Sequence, residues 1–187
     1  MIFDAFNNVE YDGEPIVDLI RDYRVYIDRV KNRYQLVKHI VVGDPTTEYL
    51  SYQLYGDSNL FWLIIYLNDI YDPWHGWVKS QEAVYESAEQ KYKNMGGMEQ
   101  ILYHTDQNFE KYYDLVEHPE NREVWYHKGD KRFKHIQYVG YLHPVSVYES
   151  EEQENDSKRT IRIIKPSDIN SFIDDLRREI DKVRRSE

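Results

Sequence analysis

LVKHIVVGDPTTEYLSYQLYGDSNLFWLIIYLNDIYDPWHGWVKS, residues 36–80, is the stretch whose reading decides the fold. Its β-branched run from Val37 to Val42 predicts a strand, which Gly43 breaks. Asp44-Pro45 then opens a helix, with Asp44 as N-cap and Pro45 at the first helical position, where a missing N–H costs nothing. That helix runs to about Tyr55, with Leu50 and Leu54 one turn apart on its inner face, and Gly56 ends it. A second helix follows from Ser58 to about Leu67, capped by the Asp57-Ser58-Asn59 group and closed by Asn68 in a left-handed conformation. After an aromatic loop, Gly76 to Lys79 is expected to return as a short strand beside the first.

The second helix carries the functional argument. Leu60 to Leu67 is apolar or aromatic at every position, so it has no face suited to water, and it is too short to span a bilayer, which takes roughly 20 apolar residues. Leu60, Leu63, Ile64 and Leu67 fill one face of a small core. Phe61, Trp62, Ile65 and Tyr66 then need another cover: the C-terminal half of the same chain, or a partner protein.

Strand, helix, Tyr55-Gly56, helix, Leu67-Asn68, loop, strand resembles the LysM module, through Asp44, Thr46, Leu50, Leu63 and those two pairs. The wider sequence is more specific. YGDSNLFWLIIYLNDIYDPWHGWVKSQEA, QKYKNMGG, YHKGDK and SDINSF, in that order over roughly residues 18–180, resemble the baseplate wedge protein family of T-even-type contractile-tailed phages (gene product 53), which carries a LysM-like domain.

Composition agrees with a surface made for protein contacts. The chain has 187 residues, 41% of them hydrophobic, and a mean hydropathy of -0.81, so one domain or two small ones fit. Tyrosine stands out, 18 against 6 Phe and 4 Trp, and Tyr suits interfaces that are apolar at the centre and hydrogen-bonded at the edge. A net charge of -10 opposes binding to a phosphate backbone or an anionic membrane. With no Cys there is no disulfide framework, thiol nucleophile or thiolate metal site. The start, MIFDAFNNVEYDGEP, has no basic segment of the kind that opens a signal peptide.

The expected fold class is α+β, in four parts. Residues 1–35 form an arm followed by an amphipathic helix from Pro15, its apolar side Ile16, Leu19, Ile20, Tyr23, Ile27, Val30 and Tyr34. Residues 36–80 form the LysM-like βααβ unit. Residues 81–97 form a connecting helix, N-capped by Ser80 and stopped at a Gly96-Gly97 hinge. Residues 98–187 form a Tyr-rich antiparallel meander, with strands near 100–104, 112–116, 123–127 and 136–141, and then a C-terminal helix. Within this last part Glu149 to Arg159 reads as a solvated loop or a frayed helix end, Thr160 to Ile164 as a strand, and Ser167 as cap of a helix whose buried side is Ile169, Phe172, Ile173, Leu176 and Ile180. Trp125 is expected on a strand with one wet face.

Catalytic patterns are missing. His118, His127, His135 and His143 recur at eight or nine residues, but without close zinc spacing. The many carboxylates single out no glycosidase pair, no G-x-S-x-G elbow occurs, and Met95-Gly96-Gly97-Met98 lacks the Lys and Ser/Thr of a phosphate loop. The reading is therefore of no enzyme, cofactor or metal. The resemblance implies a structural virion protein of the tail baseplate, assembled in the host cytoplasm. It would join and fasten neighbouring wedges around the hub, in multiple copies of a sixfold assembly, against other wedge and hub-proximal tail proteins, with no nucleic acid or membrane partner. Its interface candidates are Phe3, Phe6, Tyr11, Phe61, Trp62, Ile65, Tyr66, Trp74 and Trp77. The alternative is a LysM-type module for peptidoglycan or chitin, with Trp74, His75 and Trp77 stacking on sugar faces.

Overall fold

The computed structural model describes residues 8–17 and 22–184. In chain order the elements are β1 (Asn8–Tyr11), β2 (Glu14–Val17), α1 (Arg24–Lys31), β3 (Leu36–Ile40), α2 (Thr47–Tyr55), α3 (Phe61–Leu67) and α4 (Gln81–Tyr92). They continue with β4 (Ile101–Thr105), β5 (Lys111–Tyr112), β6 (Leu115–His118), β7 (Asn121–His127), β8 (Ile136–Val139), β9 (His143–Ser146), α5 (Val147–Ser157), β10 (Thr160–Ile164) and α6 (Ile169–Arg184). The class is mixed α+β with small antiparallel sheets. The elements form two compact units: residues up to Trp77 together with those from Arg159 on, and Val78–Lys158 between them in sequence.

In the first unit the core is helical. Tyr23, Ile27 and Val30 of α1 meet Leu63 and Leu67 of α3, Ile164 of β10, and Ile169, Phe172, Leu176 and Ile180 of α6. The spacing of three and four read from α6 thus faces inward, with Phe172 fully buried and the Tyr34 ring edge-on to it at 5.5 Å. The second strand of the small sheet differs from expectation. β3 pairs antiparallel with β10, Leu36 opposite Ile164 and Ile40 opposite Thr160, and Gly76–Lys79 forms no strand. The expected local βααβ unit does not close on itself: the strand beside β3 is β10, which follows α4, the six strands β4–β9 and α5 in sequence. Ile161, Ile163 and Ile164 of β10 are all buried, whereas the 76–79 stretch offers only Trp77 and Val78 to the interior. β10 and α6, grouped by sequence with the meander, therefore pack in the first unit.

Helix ends follow the expected chemistry with shifted residues. Thr46, not Asp44, caps α2, its hydroxyl accepting from Tyr49 N at 3.2 Å. Gly56 closes α2 at φ 73, as the sequence indicates. Ser58–Leu60 is a 3₁₀ turn leading into α3. The helix expected from Pro15 begins only at Arg24, because Glu14–Val17 is a strand paired with Asn8–Tyr11 across an Asp12-Gly13 turn with φ 51 and 81. Asp-Gly between short extended runs is a strong hairpin signal that the reading of a periodless arm passed over. Leu19 and Ile20 lie outside the described residues.

In the second unit the single meander is replaced by two three-stranded sheets, ordered β5-β4-β9 and β6-β7-β8. Trp125 is buried between them and has no wet face. Its indole donates to Gly140 O at 2.9 Å, and its ring packs on His104 at 4.7 Å. Gly96 and Gly97, with φ 104 and 84, stop α4 but lie inside this unit. Residues 149–157 belong to α5, and only Lys158 and Arg159 form a turn. Ser146 accepts from Glu149 N at 3.1 Å in a Ser-x-x-Glu start, and the acidic first turn suits the helix dipole. The buried Asn155 then fastens the helix by bonding both Lys79 N and Lys79 O, at 2.8 and 2.9 Å. Its partner α4, capped by Ser80 as expected, supplies Lys91 to Glu151 at 2.7 Å.

Candidate functional site: the α3 groove and the tryptophan turn

α3 is too apolar to stand in water, and the first unit covers only part of it. Leu63, Ile64 and Leu67 are buried, while Phe61, Trp62, Ile65 and Tyr66 are half-buried. These four line a groove of about 570 Å³. Trp62 packs against the core, yet its indole Nε1 is shielded with no hydrogen-bond partner among the described residues. Tyr66 donates to Arg24 O at 3.4 Å, and Lys31 lies 5.6 Å from its ring centre. Burial, followed by the nearby Asp28 carboxylate, pushes the Tyr66 phenol up to about 12, so it remains a neutral donor. The rim is charged: Lys31 pairs with Asp28 at 2.7 Å, and Arg162 with Asp69 at 3.4 Å.

The C-terminal end of α3 is held by Asn68 in an unexpected way. Its φ is -112, so it is not the left-handed cap; Asp69 takes that conformation with φ 54. The Asn68 side chain instead donates to Ile64 O and to Arg162 O, both at 2.8 Å, and accepts from Arg162 N at 2.7 Å. One amide therefore closes the helix and stands in for a neighbouring strand along β10.

A locked turn follows. Asp72 Oδ1 accepts from the backbone N–H of Trp74 and His75, its Oδ2 lies 2.6 Å from His75 Nδ1, and Gly76 N donates to Asp72 O at 2.7 Å. The His75 bond, with the Trp74 N–H next, holds the Asp72 carboxyl below its usual range. A Cβ on Gly76 would sit 2.7 Å from Asp72 O, so only glycine fits. This turn separates the two loop tryptophans. Trp77 is 7% exposed, and its indole donates to Pro45 O at 2.7 Å, whereas Trp74 is 83% exposed. Trp77 is thus part of this unit's interior rather than a surface contact, because its long indole reaches a free carbonyl below the α2 cap.

Tyr11 is 71% exposed on the β1–β2 hairpin, and Phe3 and Phe6 lie outside the described residues. Tyr71, which sequence reasoning passed over, lines the α3 groove at 79% exposure. The signal for it was its place between an apolar helix and Asp-Pro. The histidines are dispersed. His118 packs on Phe133 at 5.0 Å, His127 accepts from Gly129 N, His135 N donates to Asp130, and His143 lies 3.4 Å from Glu149. Among the described residues no group of His, Asp and Glu is placed to hold a metal ion, and no helix is long and apolar enough to cross a membrane.

The described residues thus include a half-open groove along α3 and, on the turn that follows it in sequence, an exposed tryptophan. Comparison with known proteins gives these features their context. Residues 1–179 match the family model described as base plate wedge protein 53. The chain is also 42% identical over 191 residues to the baseplate wedge protein gp53 of Enterobacteria phage T4, covering 97% of each. Matched along almost its whole length, the chain belongs to the base plate wedge protein 53 family.

Proposed function

We propose that this protein is a structural subunit of a contractile phage tail, a baseplate wedge component that joins and fastens neighbouring wedges around the hub by protein–protein contact. Family membership supports the baseplate wedge role and a structural rather than catalytic one. The observations that carry the fastening role are the half-buried groove face of α3 and the exposure of Trp74 on a hydrogen-bonded turn. Phe61, Trp62, Ile65 and Tyr66, three aromatic residues and one aliphatic, give a partially desolvated apolar floor. Trp74 is held outward by a turn whose polar groups are already satisfied, so little ordering remains to oppose binding. Tyr11 extends the set on the hairpin, with Phe3 and Phe6 preceding it in sequence. The partners are other wedge and hub-proximal proteins, in repeated copies of a sixfold ring.

The test is incorporation. Trp74→Ala should leave stability within about 0.5 kcal/mol, since an exposed side chain contributes little to the fold, yet should sharply lower recovery of the protein in assembled baseplates. Normal recovery of both Trp74→Ala and Phe61→Ser would overturn the assignment of this face.

Tyr71 and Trp74, both exposed, also suit stacking on sugar rings, which keeps a glycan-binding reading in view. Calorimetric titration with chito-oligosaccharide separates the two. No binding is expected, and micromolar affinity would favour the glycan module.

A further inference from the structure

We infer that the open edge of β3 accepts an extended acidic segment of a neighbouring baseplate protein as a third strand of the β3–β10 sheet. In an antiparallel ladder, opposed residues alternate between exchanging both hydrogen bonds and exchanging none. Asn68 takes both backbone groups of Arg162, and the Tyr55 hydroxyl donates to Ile164 O at 3.2 Å, so these residues turn away from β3. Their opposites, Lys38 and Leu36, therefore turn away from β10, as does Ile40 opposite Thr160. Val41, next in phase, confirms the alternation by donating to Arg159 O at 2.8 Å.

The two edges of the sheet are thus unlike. Side chains of α2 and of the α3 cap satisfy Arg162 and the Ile164 carbonyl at the centre and end of β10, whereas the outward N–H and C=O groups of Leu36, Lys38 and Ile40 meet no partner among the described residues. Ile40 is 66% exposed, and Val42, beyond the strand end, 86%. An uncovered edge with exposed β-branched side chains is a template for another strand, and a two-stranded sheet gains most from one.

Charge selects the occupant. Lys38 is exposed, Leu36–Ile40 contains no acidic residue, and Arg162, opposite Lys38 on β10, is paired with Asp69. Opposite charges across a ladder stabilise and like charges destabilise. A strand carrying Asp or Glu opposite Lys38 and an apolar residue opposite Ile40 fits. A second copy of β3 brings Lys38 and His39 as its only ionisable side chains and no acid to meet Lys38. Backbone pairing then provides affinity and the alternate side chains specificity. The inference uses the wedge reading only to place the partner within the baseplate.

Amide-resolved hydrogen exchange on the free full-length chain and on isolated tails tests it. In the free chain the Val37, His39 and Val41 amides should exchange slowly and those of Lys38 and Ile40 fast. In tails, Lys38 and Ile40 should slow by at least about tenfold. Lys38→Pro removes one outward N–H, a substitution edge strands tolerate. It should fold with an unchanged circular dichroism spectrum and lose incorporation, while Lys38→Gln keeps more of it. Fast exchange at Lys38 and Ile40 in tails overturns the inference. If the α3 groove and the Trp74 turn become protected in the same tails, the docking reading above still stands. A concentration-dependent dimer of the free chain with these amides protected would assign the edge to a second copy and also overturn it.

Discussion

Replacing Asn68 by alanine removes three hydrogen bonds with one side chain, those to Ile64 O, Arg162 O and Arg162 N, at 2.8, 2.8 and 2.7 Å. A typical intramolecular hydrogen bond contributes about 0.5–1.5 kcal/mol net. Arg162 is exposed, so its freed backbone groups regain water and the low end of that range applies to both. The expected loss is about 2 kcal/mol for alanine. Asn68→Asp is the sharper perturbation. It keeps an acceptor for Arg162 N–H but places a carboxylate oxygen against two carbonyl oxygens that now face a donor. Its cost should exceed that of alanine, at about 3 kcal/mol near neutral pH. Urea unfolding followed by tryptophan emission reads the difference. With a slope of about 2 kcal/mol per molar, the alanine midpoint should fall by about 1 M. Exchange at the Ile161 and Ile163 amides localises the loss to the β3–β10 sheet, where both residues are paired. An aspartate variant as stable as the wild type would refute the reasoning, because the argument rests on the amide as donor.

Trp77→Phe keeps a ring in the interior but loses the indole bond to Pro45 O, for a cost of about 1 kcal/mol. Trp77→Ala should cost about 3–5 kcal/mol in the same urea titration, and a loss near zero would show the loop to be held without it. The Asp72 turn should respond to acid. Its carboxyl is held below the ordinary value of 3.8, so the stabilisation it supplies is complete above that value and disappears as pH falls through the lowered one. The Trp74 and His75 amide resonances should therefore shift together below pH 3.8, and not in Asp72→Asn. A shared step at a higher pH would contradict the bond from His75.

Elements held by local chemistry were legible. Gly56 as the left-handed end of α2, Ser80 as the cap of α4 and the apolar stripe of α6 each depend on residues within a turn or two of one another. Two local signals were present but passed over: Asp12-Gly13 for the hairpin, and Ser146-x-x-Glu149 for the start of α5. The composition of the acidic run concealed α5, since a helix with so few apolar residues depends on a buried polar anchor, Asn155, and on Lys91 from another helix.

At the site, the apolar uniformity of Leu60–Leu67 was enough to mark α3 as a helix needing cover on every side, and that property belongs to sequence. Which side stays half-open was decided by where α1, β10 and α6 arrive, and β10 and α6 come from more than 90 residues away. The two tryptophans of the loop show the same division. Trp74 and Trp77 are alike in the sequence, and only the Asp72 turn, with a carbonyl offered by Pro45, buries one and exposes the other. Sequence by itself determined the class of fold, the Gly56 and Ser80 helix ends, the family and the presence of an aromatic surface, because these follow from short-range periodicity and from motifs in a fixed order. The strand that pairs with β3, the second role of Asn68 and the open edge of the sheet were decided by tertiary structure. Each depends on backbone groups brought together across the fold, and every residue but proline carries the same backbone donor and acceptor, so nothing in the residue types records which of them will meet.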